Sequence, residues 1–360
     1  MKLLFAAGGS GGHVEPALAT AEALRQIDSD CEIMFVSSRG GVGETLIRNR
    51  GFDVTAIDAV PAPRGFSRAS LDAPRSVWLA IEEVLKIIEA FRPTAVVGFG
   101  GYVAAPAYLA AKRKNLPLVV HEANAKAGWA NRLGAKLTHF RAENHPGSLA
   151  NAEVVGMPVR ESLVDLDRAA HRLEARRHFG LEETRMTLLL TGGSQGARKL
   201  NEVTFEALEE LSKIDVGVLH ILGEKNLSDA PTPTRLYRPV GFVDDMRMAY
   251  SAADFICCRA GANTVAEVGL VGIPALFVPL PIGNGEQNLN AGPLVAAGLA
   301  RSVSNDELNS RSLVDWVREA VAELSVFQSR LASNQDLVIR DGAQRLAQLV
   351  MRAASSKVAA

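Results

Sequence analysis

Lys2-Leu-Leu-Phe-Ala-Ala-Gly-Gly-Ser-Gly-Gly-His13 opens the chain, and Thr187-Leu-Leu-Leu-Thr-Gly-Gly-Ser-Gln-Gly196 repeats its design in the second half. Each reads as a buried strand, then a glycine-rich turn, then a helix. An apolar run without polar alternation suits a strand covered on both faces of a parallel sheet. The pattern recurs along the chain. Leu3–Ala7, Glu32–Val36, Ala95–Phe99, Leu118–Val120, Thr187–Leu190, Gly217–Ile221, Phe255–Cys258 and Ala275–Val278 are expected strands, with amphipathic stretches such as Ala17–Gln26 and Val77–Ala90 between them. Strand–helix alternation of this kind implies right-handed βαβ units and doubly wound sheets. Pro158, in Val155-Gly-Met-Pro-Val-Arg160, marks the expected joint between two Rossmann-like domains.

Composition narrows the function. The chain has 360 residues, enough for two ordinary domains, and 48% are hydrophobic. A formal net charge of −1 argues against a dedicated nucleic-acid binder. The 3 cysteines, Cys31, Cys257 and Cys258, have neither disulfide-framework nor zinc spacing and suit a reducing compartment. No run of about 18 apolar residues predicts a spanning helix, so any membrane contact is expected at the surface. The apolar start ends at Gly8, too soon for a secretory signal.

Rossmann-like domains bind ligands at the carboxyl ends of their strands. Gly8-Gly-Ser-Gly-Gly12 lets backbone amides approach an anion at the start of the following helix. Its spacing is not that of a nicotinamide fingerprint, and the second strand ends Val36-Ser-Ser38 without an acidic residue. Both loops fit G-x-S-x-G, but the only histidine after Ser194 is His220, within a strand, which disfavours a hydrolase triad. His13, at a helix start, is favoured as a neutral imidazole able to accept a proton; a locally hydrogen-bonded histidine reads equally well. Arg259-Ala-Gly-Ala-Asn-Thr-Val-Ala-Glu267 is a further turn feeding a helix, and the Glu267 carboxylate can accept from a ribose diol. Pro279–Gln287 and Asn290 offer amides and carboxylates suited to sugar hydroxyls. Asp244 and Asp245 read as helix caps.

Taken together, Gly8–His13, Gly98-Phe-Gly-Gly-Tyr-Val103, His121-Glu-Ala-Asn124, Pro158-Val-Arg160, Gly192-Gly-Ser-Gln-Gly-Ala-Arg198, Arg259–Glu267 and Gln287-Asn-Leu-Asn290 occur in the order seen in the MurG family of N-acetylglucosaminyltransferases, glycosyltransferase family 28. The chain resembles that family over nearly its whole length. The resemblance implies an α/β, GT-B fold: two Rossmann-like doubly wound parallel-sheet domains with an interdomain cleft. It implies an N-terminal acceptor- and membrane-facing domain over 1–160 and a UDP-sugar donor domain over 161–352. The last helix would pack back on the first domain, and 353–360 would form a frayed tail. The activity implied is an inverting transfer from UDP-N-acetylglucosamine to the lipid-linked muramoyl-pentapeptide, a step of peptidoglycan synthesis at the cytoplasmic face of the cell membrane, with the protein bound peripherally. No cofactor or essential metal is implied, and no nucleic-acid partner.

By the same resemblance Ser194, Gln195 and Gly196 meet the diphosphate, Glu267 the ribose and Gln287 the donor sugar. Ser10, Gly11, Gly12, Asn124 and Arg160 match donor-site positions, while His13 and Tyr102 face the acceptor, His13 as the candidate base. Ala123, Asn263 and Glu286 depart from the usual pattern. Other readings are a related transferase acting on another glycolipid or aglycone, a UDP-sugar epimerase, and a non-catalytic sugar-nucleotide sensor. For membrane docking the candidate is Phe66–Ile88, where Val77, Trp78, Ile81, Val84, Leu85 and Ile88 follow helical spacing beside Arg64, Arg68, Arg75 and Lys86. Docking requires Trp78 and Leu85 on one exposed face; the competing reading packs these residues on the sheet.

Overall fold

The computed structural model describes residues 1–9, 11–58, 68–193, 196–281 and 285–356, and for residues 68–74 the backbone alone. The chain divides into two compact units, Met1–Arg160 with Ile339–Ala360, and Glu161–Val338.

In the first unit, strands β1 (Lys2–Ala6), β2 (Glu32–Ser38), β3 (Asp53–Ile57), β4 (Ala95–Gly98), β5 (Leu118–Glu122), β6 (Phe140–Glu143) and β7 (Glu153–Val154) form one sheet in the order β3-β2-β1-β4-β5-β6-β7. Every recorded pairing is parallel. Along β1, Leu3 and Phe5 join one apolar cluster with Val14, Ala17, Leu18 and Ala21 of the helix Gly11–Ile27. Leu4 and Ala6 join another with Ala107, Tyr108 and Ala111 of the helix Ala104–Arg113. Both faces are therefore covered, which accounts for the unbroken apolar run.

The second unit repeats the plan with β8 (Thr187–Thr191), β9 (Gly217–Ile221), β10 (Tyr237–Val240), β11 (Phe255–Cys258), β12 (Ala275–Phe277) and β13 (Ala300–Ser302). Their order is β10-β9-β8-β11-β12-β13, again parallel throughout. Asp254 anchors its base. Its carboxylate accepts from Arg172 Nη2 at 2.6 Å, Arg176 Nη2 at 2.8 Å and the Thr187 amide at 2.7 Å. Arg176 is fully buried, and its remaining N–H groups reach the Ala252, Glu182 and Glu183 carbonyls, so the charge is both paired and solvated by backbone.

Three expectations change on contact with the structure. The second unit ends at Val338 rather than at 352, because Ile339 onward belongs to the first unit. There Leu346, Val350 and Ala353 of the helix Gly342–Ser356 share the core of the first helix. The strands β3, β6, β7, β10 and β13 lie outside the expected set; they are short or polar because they sit at or near sheet edges. Finally, Leu85 does not share an exposed face with Trp78. In the helix Arg68–Phe91, Val84, Leu85 and Ile88 are buried against the sheet, while Trp78 is 56% and Leu79 47% exposed. Arg64 and Phe66 lie outside the described residues, as does the Arg68 side chain. Among the described residues no helix is long and apolar enough to cross a membrane.

Two buried histidines set an acid limit. His121 donates Nε2–H to the Gly156 carbonyl at 3.1 Å, and burial lowers its pKa from 6.5 to about 4. His220 lies between Asn201 Oδ1 at 3.1 Å and the Tyr237 hydroxyl at 3.2 Å, with its pKa lowered by burial to about 3. Both folded-state values lie below the unfolded one, so the unfolded chain takes up protons first. This stability is complete above the unfolded pKa of 6.5 and is lost as pH falls toward 4 and below. Calorimetry should find a lower unfolding midpoint at about pH 5 than at about pH 7.5, with a smaller gap in His121→Gln; the same gap in the variant would contradict the assignment.

Candidate functional site

In the first unit the sequence-predicted residues gather at the carboxyl ends of β1, β4 and β5, which are neighbours in the sheet. The helix after β1 begins at Gly11 with no acidic residue in its first turn, and Gly11, Gly12 and His13 form its start. Gly100 and Gly101 both have positive φ, 89° and 82°. A side-chain carbon on Gly101 would collide with the Gly8 carbonyl, and one on Gly100 would lie 3.2 Å from His13 Cδ2 and 3.2 Å from Asn131 Nδ2. The imidazole of His13 thus rests on bare backbone. Tyr102 is half-buried in the same turn. Ser10 lies outside the described residues.

Asn124 is held from behind by Glu122, a carboxylate only 2% exposed. Glu122 Oε1 accepts from the Asn124 amide at 2.9 Å and its side-chain Nδ2 at 3.1 Å. Its Oε2 accepts from the Gly128 amide at 3.1 Å and Asn131 Nδ2 at 2.9 Å. Asn131 in turn accepts from the Tyr108 hydroxyl at 2.7 Å. Glu143, the register partner of Glu122 on β6, organises its own loop through Gly147, Ser148 and Leu149. Arg160 pairs with Glu15 of the first helix at 2.9 Å, and Glu15 also meets Arg50 at 3.3 Å.

In the second unit the residues gather at the ends of β8, β11 and β12, again neighbours. Thr191 Oγ1 accepts from the Gly193 amide at 3.2 Å, and Gly196, at φ 74°, turns where any side chain would strike the Leu222 carbonyl. Ser194 and Gln195 lie outside the described residues. The helix Ala262–Val271 starts at Gly261 without a side-chain cap and carries Glu267, half-buried. The Tyr250 hydroxyl donates to Glu267 Oε2 at 2.7 Å. Gln287 Oε1 accepts from the Leu280 amide at 3.0 Å, and buried Asn290 donates to the Ala260 carbonyl at 3.1 Å, so the Gln287–Asn290 stretch fastens two loops. Arg259 donates to the Val278 and Pro279 carbonyls and to Asn305 Oδ1. Asp245 caps the helix Met246–Ala252 by accepting from the Arg247 amide. Among the described residues no group of three or more His, Cys, Asp or Glu is placed to hold a metal.

Residues 3–139 match the glycosyltransferase family 28 N-terminal domain, and residues 187–349 its C-terminal domain. The chain belongs to glycosyltransferase family 28. It is 42% identical over 346 residues to the UDP-N-acetylglucosamine–N-acetylmuramyl-(pentapeptide) pyrophosphoryl-undecaprenol N-acetylglucosamine transferase of Thermobifida fusca, covering 95% of this chain and 90% of the relative. The like-named protein of Mycolicibacterium smegmatis is 44% identical over 98% of this chain and 94% of its own. Among solved structures, Acinetobacter baumannii MurG superposes with a TM-score of 0.68 at 29% identity, over 96% of this chain and 94% of that one. This is the GT-B fold. A Neisseria meningitidis UDP-GlcNAc 2-epimerase bound to UDP-GlcNAc reaches 0.69 at 14% identity over 98% of this chain and 100% of its own, which shows the fold alone.

Within this family 28 chain, Glu122, Glu15 and Tyr250 were not singled out by sequence. Glu122 lies inside the His121–Asn124 motif, and its spacing to Asn124 and Gly128 is the signal that could have revealed it. Tyr250 offers none, because it reads as an ordinary apolar helix position. Glu122→Gln places an amide NH₂ against two N–H donors in either orientation. It should destabilise the first unit by about 1–3 kcal/mol, read by urea denaturation, and an unchanged midpoint would contradict the donor assignment.

Proposed function

We propose that the protein transfers N-acetylglucosamine from UDP-N-acetylglucosamine to the lipid-linked muramoyl-pentapeptide with inversion at the anomeric carbon. The carrying observation is the near-full-length similarity to transferases of that name, at 42–44% identity. Glycine turns at the carboxyl edges of both sheets support it. In the proposed reaction the acceptor hydroxyl attacks the anomeric carbon as the bond to the UDP oxygen breaks. The bonding electrons pass to the diphosphate, and the hydroxyl proton goes to a base, for which His13 is the candidate. Amides of the Gly192–Gly196 turn and of the uncapped helix start at Gly261 would meet the growing diphosphate charge, together with Ser194 and Gln195, so that no metal is needed. Glu267 would accept from the ribose, Gln287 would bind the donor sugar, and Tyr102 would face the acceptor. Arg160, Asn124 and Ser10–Gly12 complete the proposed set.

The test is product formation from UDP-N-acetylglucosamine and the lipid-linked muropeptide in excess EDTA. Turnover should persist in EDTA, and His13→Ala should cut kcat by about 10²–10⁴-fold with UDP affinity retained. Conversion of the donor without acceptor would favour the epimerase reading, and binding without turnover the sensor.

Peripheral membrane contact is proposed at Trp78 and Leu79. They are adjacent and exposed, one helical turn beyond exposed Arg75, with exposed Lys86 farther along the same helix. An amphipathic aromatic ring beside cations suits an anionic lipid surface. A folded Trp78→Ser/Leu79→Ser variant should sediment less with anionic vesicles than the unaltered protein; equal sedimentation would remove this face from the membrane.

A further inference from the structure

Tyr250 is 1% exposed, yet its hydroxyl reaches Glu267 Oε2 at 2.7 Å. An ionised carboxylate is acceptor-only, with about four lone-pair directions, and the terminal torsion of a glutamate is soft. A phenol donating to one oxygen restricts that torsion, and a carboxylate held in this way can still accept from a ligand's hydroxyls. The two partners are clamped together by a single guanidinium. Arg168 Nε donates to the Tyr250 carbonyl at 3.1 Å, Nη2 to the Ala253 carbonyl at 2.5 Å, and Nη1 to the Gly272 carbonyl at 3.2 Å. Gly272 caps the helix that carries Glu267, and Ala253 the helix that carries Tyr250. Arg168 therefore joins the ends of both helices, and Tyr250 joins their middles.

We propose that Tyr250 is a positioning residue that orients the Glu267 carboxylate to read the 2′- and 3′-hydroxyls of the donor ribose, making the site selective for ribonucleoside over deoxyribonucleoside diphosphate sugars. The inference rests on the proposed ribose role of Glu267. Tyr250→Phe keeps the buried ring and removes only the donor. With this donor gone the carboxylate is held less tightly and meets the diol in fewer of its orientations, while a nucleotide without the diol never used it.

The experiment titrates UDP and 2′,3′-dideoxy-UDP into the full-length protein, Tyr250→Phe and Glu267→Ala. Tyr250→Phe should narrow the preference for UDP by about three- to tenfold, with dideoxy-UDP affinity unchanged, and raise the KM for the sugar nucleotide while kcat holds. An equal loss for both nucleotides would mean that Tyr250 merely supports the fold, and no loss for either would mean that it does not act on the site; each overturns the proposal. If Glu267→Ala keeps the full preference for UDP, the ribose reading itself fails and takes the proposal with it. If Glu267→Ala abolishes the preference while Tyr250→Phe leaves it intact, only the role of Tyr250 fails.

Discussion

A parallel strand with helices against both faces has only its ends to offer a ligand, and this constraint places most of the candidate site residues. In the first unit β1 and β4 are neighbours, yet the helices that follow them pack on opposite faces of the sheet. The connecting turns must diverge there, and the crevice between them is where His13 meets Gly100 and Gly101. The glycines follow from the same constraint. Where two turns leave adjacent strand ends, backbone passes so close to backbone that Gly101 cannot carry a side chain beside the Gly8 carbonyl. In the second unit Gly196, after β8, meets the same crowding at Leu222, which follows the neighbouring strand β9.

This division also explains which parts of the fold were legible in sequence. None of the eight expected strands lies at a sheet edge, and their runs are mostly apolar because both faces are covered. Leu3 and Phe5 face one helix layer while Leu4 and Ala6 face the other, so the run has no polar interruption. Outer strands have no such need. β10 runs Tyr-Arg-Pro-Val, and Pro239 is tolerated because one side of an edge strand has no ladder to satisfy. The helix Arg68–Phe91 failed in a different way. Helical spacing correctly grouped Val84 and Ile88, but spacing says nothing of how far along the helix its neighbours reach, and Leu85 is buried while Trp78, two turns earlier, is exposed.

The candidate site divides along similar lines. Glycine turns and the polar groups that follow them are contiguous in sequence, so their chemistry can be read from a window of ten residues. The groups behind them are not contiguous. Arg168 reaches carbonyls 82, 85 and 104 positions away, and Tyr250 meets Glu267 across 17. No periodicity or motif records a partnership that exists only after two helices have packed.

Those hidden partners obey one rule of polarity. An amide side chain such as Asn124 faces outward as both donor and acceptor, and the group behind it is an acceptor: Glu122, whose carboxylate takes N–H donors on both oxygens. Glu267 faces outward as an acceptor, and the group behind it is a donor, the Tyr250 phenol. Reversing either choice would place like against like at a buried position, where an unmet donor or acceptor costs about 1–3 kcal/mol. The polarity of the buried partner therefore limits what the outward group can present. With Tyr250 donating, Glu267 remains an acceptor, and only a donor can join it. With Glu122 accepting, Asn124 is held by its backbone amide and its side-chain NH₂.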